Sequence, residues 1–260
     1  MIWDRPLALF LDVDGTLLDI AQRPEEVAVP EDLGALLQSA WQALEGAMAL
    51  VSGRAIGDLD RLFAPLRLPA AGQHGIELRL EPDGEAAIMQ ACPVDAALKS
   101  AVEALALKRP GVEVEDKGMT LAVHYRGAPR SGGLLARDLR RLLDREGEGI
   151  ALCRGKMVLE LRDGRFTKAG AVEAFMQRPP FAGRLPVFIG DDITDEDGFD
   201  AVERHGGIAM PVGEAHQGVG HRRDRRSTFA GPADVRSWLA TLTPPLAASP
   251  LASSTVSEAS

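Results

Sequence analysis

The run Leu7 to Leu18, L-A-L-F-L-D-V-D-G-T-L-L, narrows the choice of fold more than any other stretch of the chain. Leu7 to Leu11 carry no charge, and the run stops abruptly at Asp12, Val13, Asp14, Gly15 and Thr16. An unbroken apolar run of that length suits a strand buried on both faces of a parallel sheet, and such sheets open their ligand crevice at the carboxyl ends of their strands. Asp12 and Asp14 are therefore expected at the mouth of a crevice, with Gly15 letting the backbone turn there. Taken alone, an acidic turn after any strand explains the pattern equally well. The rest of the chain has to decide.

The same alternation returns downstream. Pro30-Glu31-Asp32 opens a helix with apolar positions at Leu33, Leu36, Leu37 and Trp41, Ala47 to Val51 is a second short strand ending at Ser52-Gly53-Arg54, and a helix over 56–63 follows. Strand, helix, strand, helix predicts an α/β fold with a doubly wound parallel sheet. Ala71 to Gln90 reads as a strand and a hairpin. From Pro93 the pattern changes to α-β-β-α-β-β, with helices over 94–107 and 134–145 and strands near 112–115, 120–125, 150–152 and 158–161. That is enough for a small separate layer of helices on an antiparallel sheet.

After Gly164 the first pattern resumes, with a helix over 168–176 and a strand over 186–189. The strand feeds Gly190-Asp191-Asp192-Ile193-Thr194-Asp195-Glu196-Asp197, and a helix to about Glu203, a strand over 207–209 and a helix over 233–242 close the chain. The expected organisation is a doubly wound, Rossmann-like core of residues 1–92 and 165–243, an inserted α/β cap over 93–164, and a disordered tail over 244–260, where Ala, Ser, Pro and Thr dominate.

Composition removes several functional classes. The net charge of -9 argues against a phosphate-tracking nucleic-acid surface, and the one basic run, His221-Arg222-Arg223-Asp224-Arg225-Arg226, reads as a solvated loop. Cys92 and Cys153 are the only cysteines and lack partner spacing, so a disulfide framework or thiolate zinc site is not expected and a reducing cytoplasm is. The opening M-I-W-D-R-P carries charge at once, so neither a signal peptide nor a membrane span is expected. No nucleic-acid or membrane partner is expected, and the expected state is a monomer.

Asp191, Asp192 and Asp195 follow a strand as Asp12 and Asp14 do. If the two strands are neighbours, the carboxylates converge, and such a density of like charge is costly unless a cation sits among them. Oxygen ligands with no nearby histidine or cysteine suit Mg²⁺, which takes one or two carboxylates, waters and substrate phosphate. A carboxylate beside such a phosphate can attack phosphorus, and a second one two residues on can protonate the leaving oxygen and then activate water. Ser52 could hydrogen-bond a phosphate oxygen and Lys168 could neutralise its charge.

D-V-D-G-T at Asp12 to Thr16, S-G-R at Ser52 to Arg54, Lys168 and G-D-D-I-T-D-E-D at Gly190 to Asp197 resemble, in order, the four motifs of the haloacid dehalogenase superfamily of phosphatases. The insert between the second and third motifs is similar to that of the branch with a large α/β cap. The resemblance implies that Asp12 is the nucleophile and Asp14 the general acid/base. It also implies Mg²⁺ held by Asp12, the Asp14 carbonyl and Asp191, with Asp192 and Asp195 in support. The third motif departs from the Lys-Gly of close relatives, reading Lys168-Ala169-Gly170, which leaves the helix start open.

Within the insert, Glu115-Asp116-Lys117-Gly118-Met119, His124-Tyr125-Arg126 and Gly155-Lys156-Met157-Val158-Leu159-Glu160 place charges in otherwise apolar strands, and alternation puts Glu115 and Lys117 on one face. Each alone is compatible with a solvated strand face or a rim salt bridge. As a set they are similar to the trehalose-6-phosphate phosphatase family, whose cap carries E-x-K-G-M, H-Y-R and G-K-x-x-x-E. That resemblance implies sugar contacts from Glu115, Lys117, Arg126, Lys156 and Glu160 and adds Arg54 and His74, the latter from Gly72-Gln73-His74-Gly75, to the substrate-binding set. His74 reads equally well as a packed loop histidine. The implied activity is Mg²⁺-dependent hydrolysis of trehalose 6-phosphate through an aspartyl-phosphate. A phosphatase for sucrose phosphate or mannosyl-3-phosphoglycerate, and a non-catalytic sugar-phosphate sensor, are the alternatives.

Overall fold

The protein is described by a computed structural model covering residues 5–21, 26–213 and 227–242. The opening residues 1–4, the basic run His221–Arg226 and the expected tail over 244–260 lie outside the described residues.

The chain runs β1 (Leu7–Leu11), α1 (Leu33–Ala43), β2 (Met48–Val51), α2 (Ile56–Leu62), β3 (Ala70–Gly72), β4 (Glu77–Arg79) and β5 (Ala87–Ile88). It then enters the insert: α3 (Ala96–Leu107), β6 (Glu113–Asp116), β7 (Leu121–His124), α4 (Gly132–Glu146), β8 (Ile150–Gly155) and β9 (Val158–Asp163). It returns as α5 (Lys168–Met176), β10 (Leu185–Gly190), α6 (Glu196–Arg204), β11 (Ile208–Pro211) and α7 (Pro232–Leu242). The expected elements are present, with ends shifted by a few residues. Thr167 accepts from the Gly170 amide and caps α5, so the helix starts at Lys168 despite the unusual Lys-Ala-Gly sequence.

The main sheet has the order β11-β10-β1-β2-β3-β4-β5, with β11 to β3 parallel and β4 and β5 antiparallel. β1 sits inside it, between β10 and β2. Its alternating side chains therefore bury on opposite faces. Leu7, Leu9 and Leu11 pack with Leu33, Leu37, Leu59, Val235 and Leu239 of α1, α2 and α7. Ala8 and Phe10 pack on the other face with Val172, Phe175 and Val202 of α5 and α6. Phe10 stacks on Phe181 with centroids 5.6 Å apart, and full burial of a side chain of this kind contributes about 1.5 to 3 kcal/mol.

The insert forms a second, antiparallel sheet of order β6-β7-β9-β8. Leu121, Val123, Leu159 and Leu161 turn toward Leu98 and Val102 of α3 and Leu135 and Leu139 of α4. The intervening positions, which include Glu115, His124 and Glu160, face the main sheet's carboxyl edge and line a cleft there. Both connections between the two layers meet at Asp163. Its side chain accepts from the Cys92 amide at 2.8 Å and the Arg165 amide at 2.9 Å, and pairs with the Arg165 guanidinium at 2.6 Å. Arg165 holds the Asp163 carboxyl well below the usual carboxylate range. Arg165 also donates to the Gln90 carbonyl at 3.1 Å, so 90–92 and 163–165 are tied side by side.

Candidate active site

Sheet register builds the site. Leu11 is level with Ile189 across β1 and β10, and the Asp12 amide donates to the Ile189 carbonyl at 2.9 Å, so the chain leaves both strands at the same height. Leu11 is likewise level with Leu50 on β2, and the Ser52 amide donates to Ala71 at the end of β3. Asp12, Ser52, His74 and Asp191 thus emerge along one edge, and Lys168 reaches that edge from the first turn of α5.

Lys168 is 2% exposed, and its ammonium lies 2.7 Å from Asp12 Oδ1 and 2.6 Å from Asp195 Oδ1. Burial works against that charge, and the two carboxylates outweigh it, lifting the lysine above its ordinary pKa. Burial pushes Asp12 up to about 6 despite the adjacent lysine. Burial, with the carboxylates of Asp12 and Asp195, pushes Asp191 up to about 8. The cluster is short of positive charge.

That shortage fits a cation. Asp12, Asp191 and Asp195 each offer a carboxylate oxygen within 4.8 Å of the others. Asp191 Oδ1 is buried and has no hydrogen-bond partner among the described residues. An all-oxygen donor set of this kind suits a hard divalent ion. Asp195 is more heavily committed to the loop itself, because its Oδ2 accepts from the amides of Asp191 at 3.0 Å and Asp192 at 2.9 Å. Asp192 accepts from the Ile193 amide at 2.7 Å and the Lys156 amide at 3.2 Å.

Asp14 pairs with Arg54, whose Nε and Nη2 donate to its two oxygens at 2.6 and 2.7 Å. From the insert, Lys156 pairs with Asp191, Lys117 donates to Glu160 at 3.0 Å and to the Gly53 carbonyl at 3.2 Å, and Arg126 donates to the Ala21 carbonyl at 2.6 Å. His74 pairs with Glu160, and Glu115 with His124 at 2.9 Å. Burial raises the Glu160 carboxyl, but His74 and Lys117 outweigh it and hold the group well below its ordinary value.

One cleft therefore gathers Asp12, Asp14, Ser52, Arg54, His74, Glu115, Lys117, Arg126, Lys156, Glu160, Lys168, Asp191 and Asp192, while Asp195 lies behind its floor, fully buried. Asp58, Cys153, Arg154 and Thr194 line it too and were not singled out from the sequence. Asp58 sits in the first turn of α2 after the Ser52 loop, a position that a strand-end rule alone does not flag.

Gly15 shapes the floor. Its φ is +86°, and a Cβ there would lie 2.0 Å from Asp191 Oδ2. The variant Gly15→Ala is expected to lose about 1 to 2 kcal/mol from the left-handed backbone alone, read as a lower melting temperature. Displacing the Asp191 carboxylate should also cut turnover by about a hundredfold. Wild-type activity in this variant would show that Asp191 does not need its present position.

Known proteins resemble this chain along most of its length. A family model described as trehalose-phosphatase matches residues 10–230. A probable trehalose-phosphate phosphatase of Sinorhizobium fredii is 45% identical over 206 residues, covering 79% of this chain and 77% of its own. The trehalose-6-phosphate phosphatase of Escherichia coli K12 is 39% identical over 237 residues, covering 91% and 86%. Among solved structures, the C-terminal domain of Candida albicans trehalose-6-phosphate phosphatase superposes with a TM-score of 0.77 at 20% identity, over 92% of each chain, a likeness of fold.

Proposed function

The chain belongs to the trehalose-phosphatase family, and on that premise we propose how it hydrolyses trehalose 6-phosphate to trehalose and phosphate. The Asp12 carboxylate attacks phosphorus and forms an aspartyl-phosphate as the bond from phosphorus to the sugar O6 breaks. Asp14 gives its proton to that oxygen. Water then attacks the phosphoryl group, Asp14 takes the water's proton, the bond to Asp12 breaks, and phosphate leaves.

The observation that carries this reading is the pairing of buried Lys168 with Asp12 at 2.7 Å, at the end of the strand that lies beside the one feeding Asp191. A cation at that point fixes the attacking carboxylate and meets the negative charge of the phosphoryl oxygens. Arg54 is held by Asp14, and an incoming phosphate dianion competes for it, releasing Asp14 to carry the proton. Ser52 is 1% exposed at the same edge and offers its hydroxyl to a phosphate oxygen.

Asp12, Asp191 and the Asp14 main-chain carbonyl would hold Mg²⁺, with Asp192 and Asp195 keeping the loop in shape. When bound, the ion supplies positive charge for the phosphoryl oxygens. The cap residues Glu115, Lys117, Arg126, Lys156 and Glu160 would take the sugar hydroxyls. We place the reaction in the cytoplasm, in keeping with two unpaired cysteines.

Phosphate release from a panel of sugar phosphates tests the reading. Trehalose 6-phosphate is expected to react fastest, ahead of sucrose phosphate, mannosyl-3-phosphoglycerate and p-nitrophenyl phosphate. EDTA should abolish release and added Mg²⁺ restore it. Faster release from another sugar phosphate would overturn the substrate, and release indifferent to EDTA would overturn the metal.

A further inference from the structure

His74 is held in an unusual backbone. Gln73 and His74 both have left-handed φ, 46° and 57°, a region that residues with a Cβ enter only at a cost and keep where their surroundings fix them. Here the surroundings do so: the His74 amide donates to the Ser52 carbonyl at 3.0 Å, the Gln73 amide to the Arg54 carbonyl at 2.9 Å, and the Gln73 side chain to Glu77 at 2.6 Å.

The turn aims a buried imidazole out of the main sheet at the cap. His74 Nε2 meets Glu160 Oε2, and the two side chains are 6% and 7% exposed. Gly53 makes room for it, since a Cβ at that position would lie 2.7 Å from Nε2. His74 Nδ1 has no partner among the described residues, which places the neutral ring's proton on Nε2, as donor to Glu160. The other Glu160 oxygen accepts from Lys117, and Lys117 returns to the core at the Gly53 carbonyl. Glu160 is thus gripped from both layers.

We infer that His74 is a positioning residue, which acts on the sugar through Glu160 by holding that cap carboxylate against the Ser52–Arg54 loop of the core. On this arrangement the sugar site is complete only where cap and core meet, and recognition is divided between a cap group that touches the sugar and a core group that aims it. The inference rests on the reading that the cap selects trehalose 6-phosphate.

The test is a double-mutant cycle in His74→Ala and Glu160→Ala, with kcat/KM measured on trehalose 6-phosphate and on p-nitrophenyl phosphate. His74→Ala is expected to lose roughly tenfold more on the sugar phosphate than on the aryl ester. His74→Gln, whose amide reaches the Nε2 position, is expected to recover most of that loss. In the Glu160→Ala background the histidine change should cost no more than about twofold. Should the alanine variant fail to fold, His74→Asn, whose amide stops short of Nε2, takes its place.

Equal losses on both substrates would reduce His74 to support of the fold, and losses that add in the double variant would mean that His74 touches the sugar itself. Either result overturns the inference. Wild-type protein indifferent to the sugar would overturn the substrate reading alone. The coupling is then still read without substrate, as faster hydrogen exchange in β9 on His74→Ala, and unchanged exchange would overturn it.

Discussion

Replacing Asp12 with Asn is expected to cut turnover of trehalose 6-phosphate by about four orders of magnitude or more while leaving a protein that melts no lower than wild type. The two halves of that expectation have one cause. The amide is nearly isosteric and its oxygen can still accept from Lys168, which lies 2.7 Å from the native carboxylate. It has no charge and is a poor nucleophile, so the proposed aspartyl-phosphate should not form. The native carboxyl binds its proton more tightly when folded, since burial raises it from 3.8 to about 6. Its ionisation therefore costs stability as the pH rises through that window, and a neutral side chain escapes the cost. Kinetics and thermal melting at pH 7.5 in EDTA-treated and Mg²⁺-loaded protein check both halves. A variant retaining a tenth of wild-type activity would remove Asp12 from the nucleophile's role.

Lys168→Met is expected to fail in the opposite sense. Methionine fills most of the lysine's volume, but it leaves Asp12 and Asp195, 5% and 0% exposed, without the ammonium that both contact. Breaking a buried ion pair by removing one partner costs about 3 to 5 kcal/mol, which for a chain of this size lowers the melting temperature by roughly 10 °C. Without the lysine, both carboxyls hold their protons to higher pH in the folded state. The deficit should therefore shrink as the pH falls from 8 toward 5, and shrink again in the double variant Lys168→Met with Asp12→Asn. A deficit independent of pH would locate the damage in packing. Loss of the cation at the phosphoryl site should also remove most activity.

Much of this molecule could be read from its sequence because the relevant signals are local. The uncharged run at Leu7 to Leu11 points to a buried parallel strand and occupies one, and the elements of the second sheet follow the change of pattern at Pro93. Asp12 and Asp191 could be brought together on paper because parallel strands share a carboxyl edge, and the register of Leu11 with Ile189 places them there. The pairings that couple the layers were not legible. Lys156 with Asp191, His74 with Glu160 and Lys117 with the Gly53 carbonyl join residues 35, 86 and 64 positions apart, and no periodicity says which polar side chains meet when two separately folded faces come together. Nor does an acidic run of Asp191, Asp192 and Asp195 reveal that the last spends its oxygens on Lys168 and the amides of the first two. Strand ends are written in composition, whereas partners across a cleft depend on register and rotamer.

The knot at Asp163 has a further consequence. Because the chain leaves the main sheet beside Cys92 and returns to it beside Arg165, both held by one carboxylate, the whole insert hangs from a single point of the core's outline. An excision there would leave two neighbouring ends to be rejoined, and a different insert could be grafted at the same seam without rethreading the sheet. Over evolutionary time such a seam lets a lineage exchange the inserted layer while inheriting the main sheet unchanged.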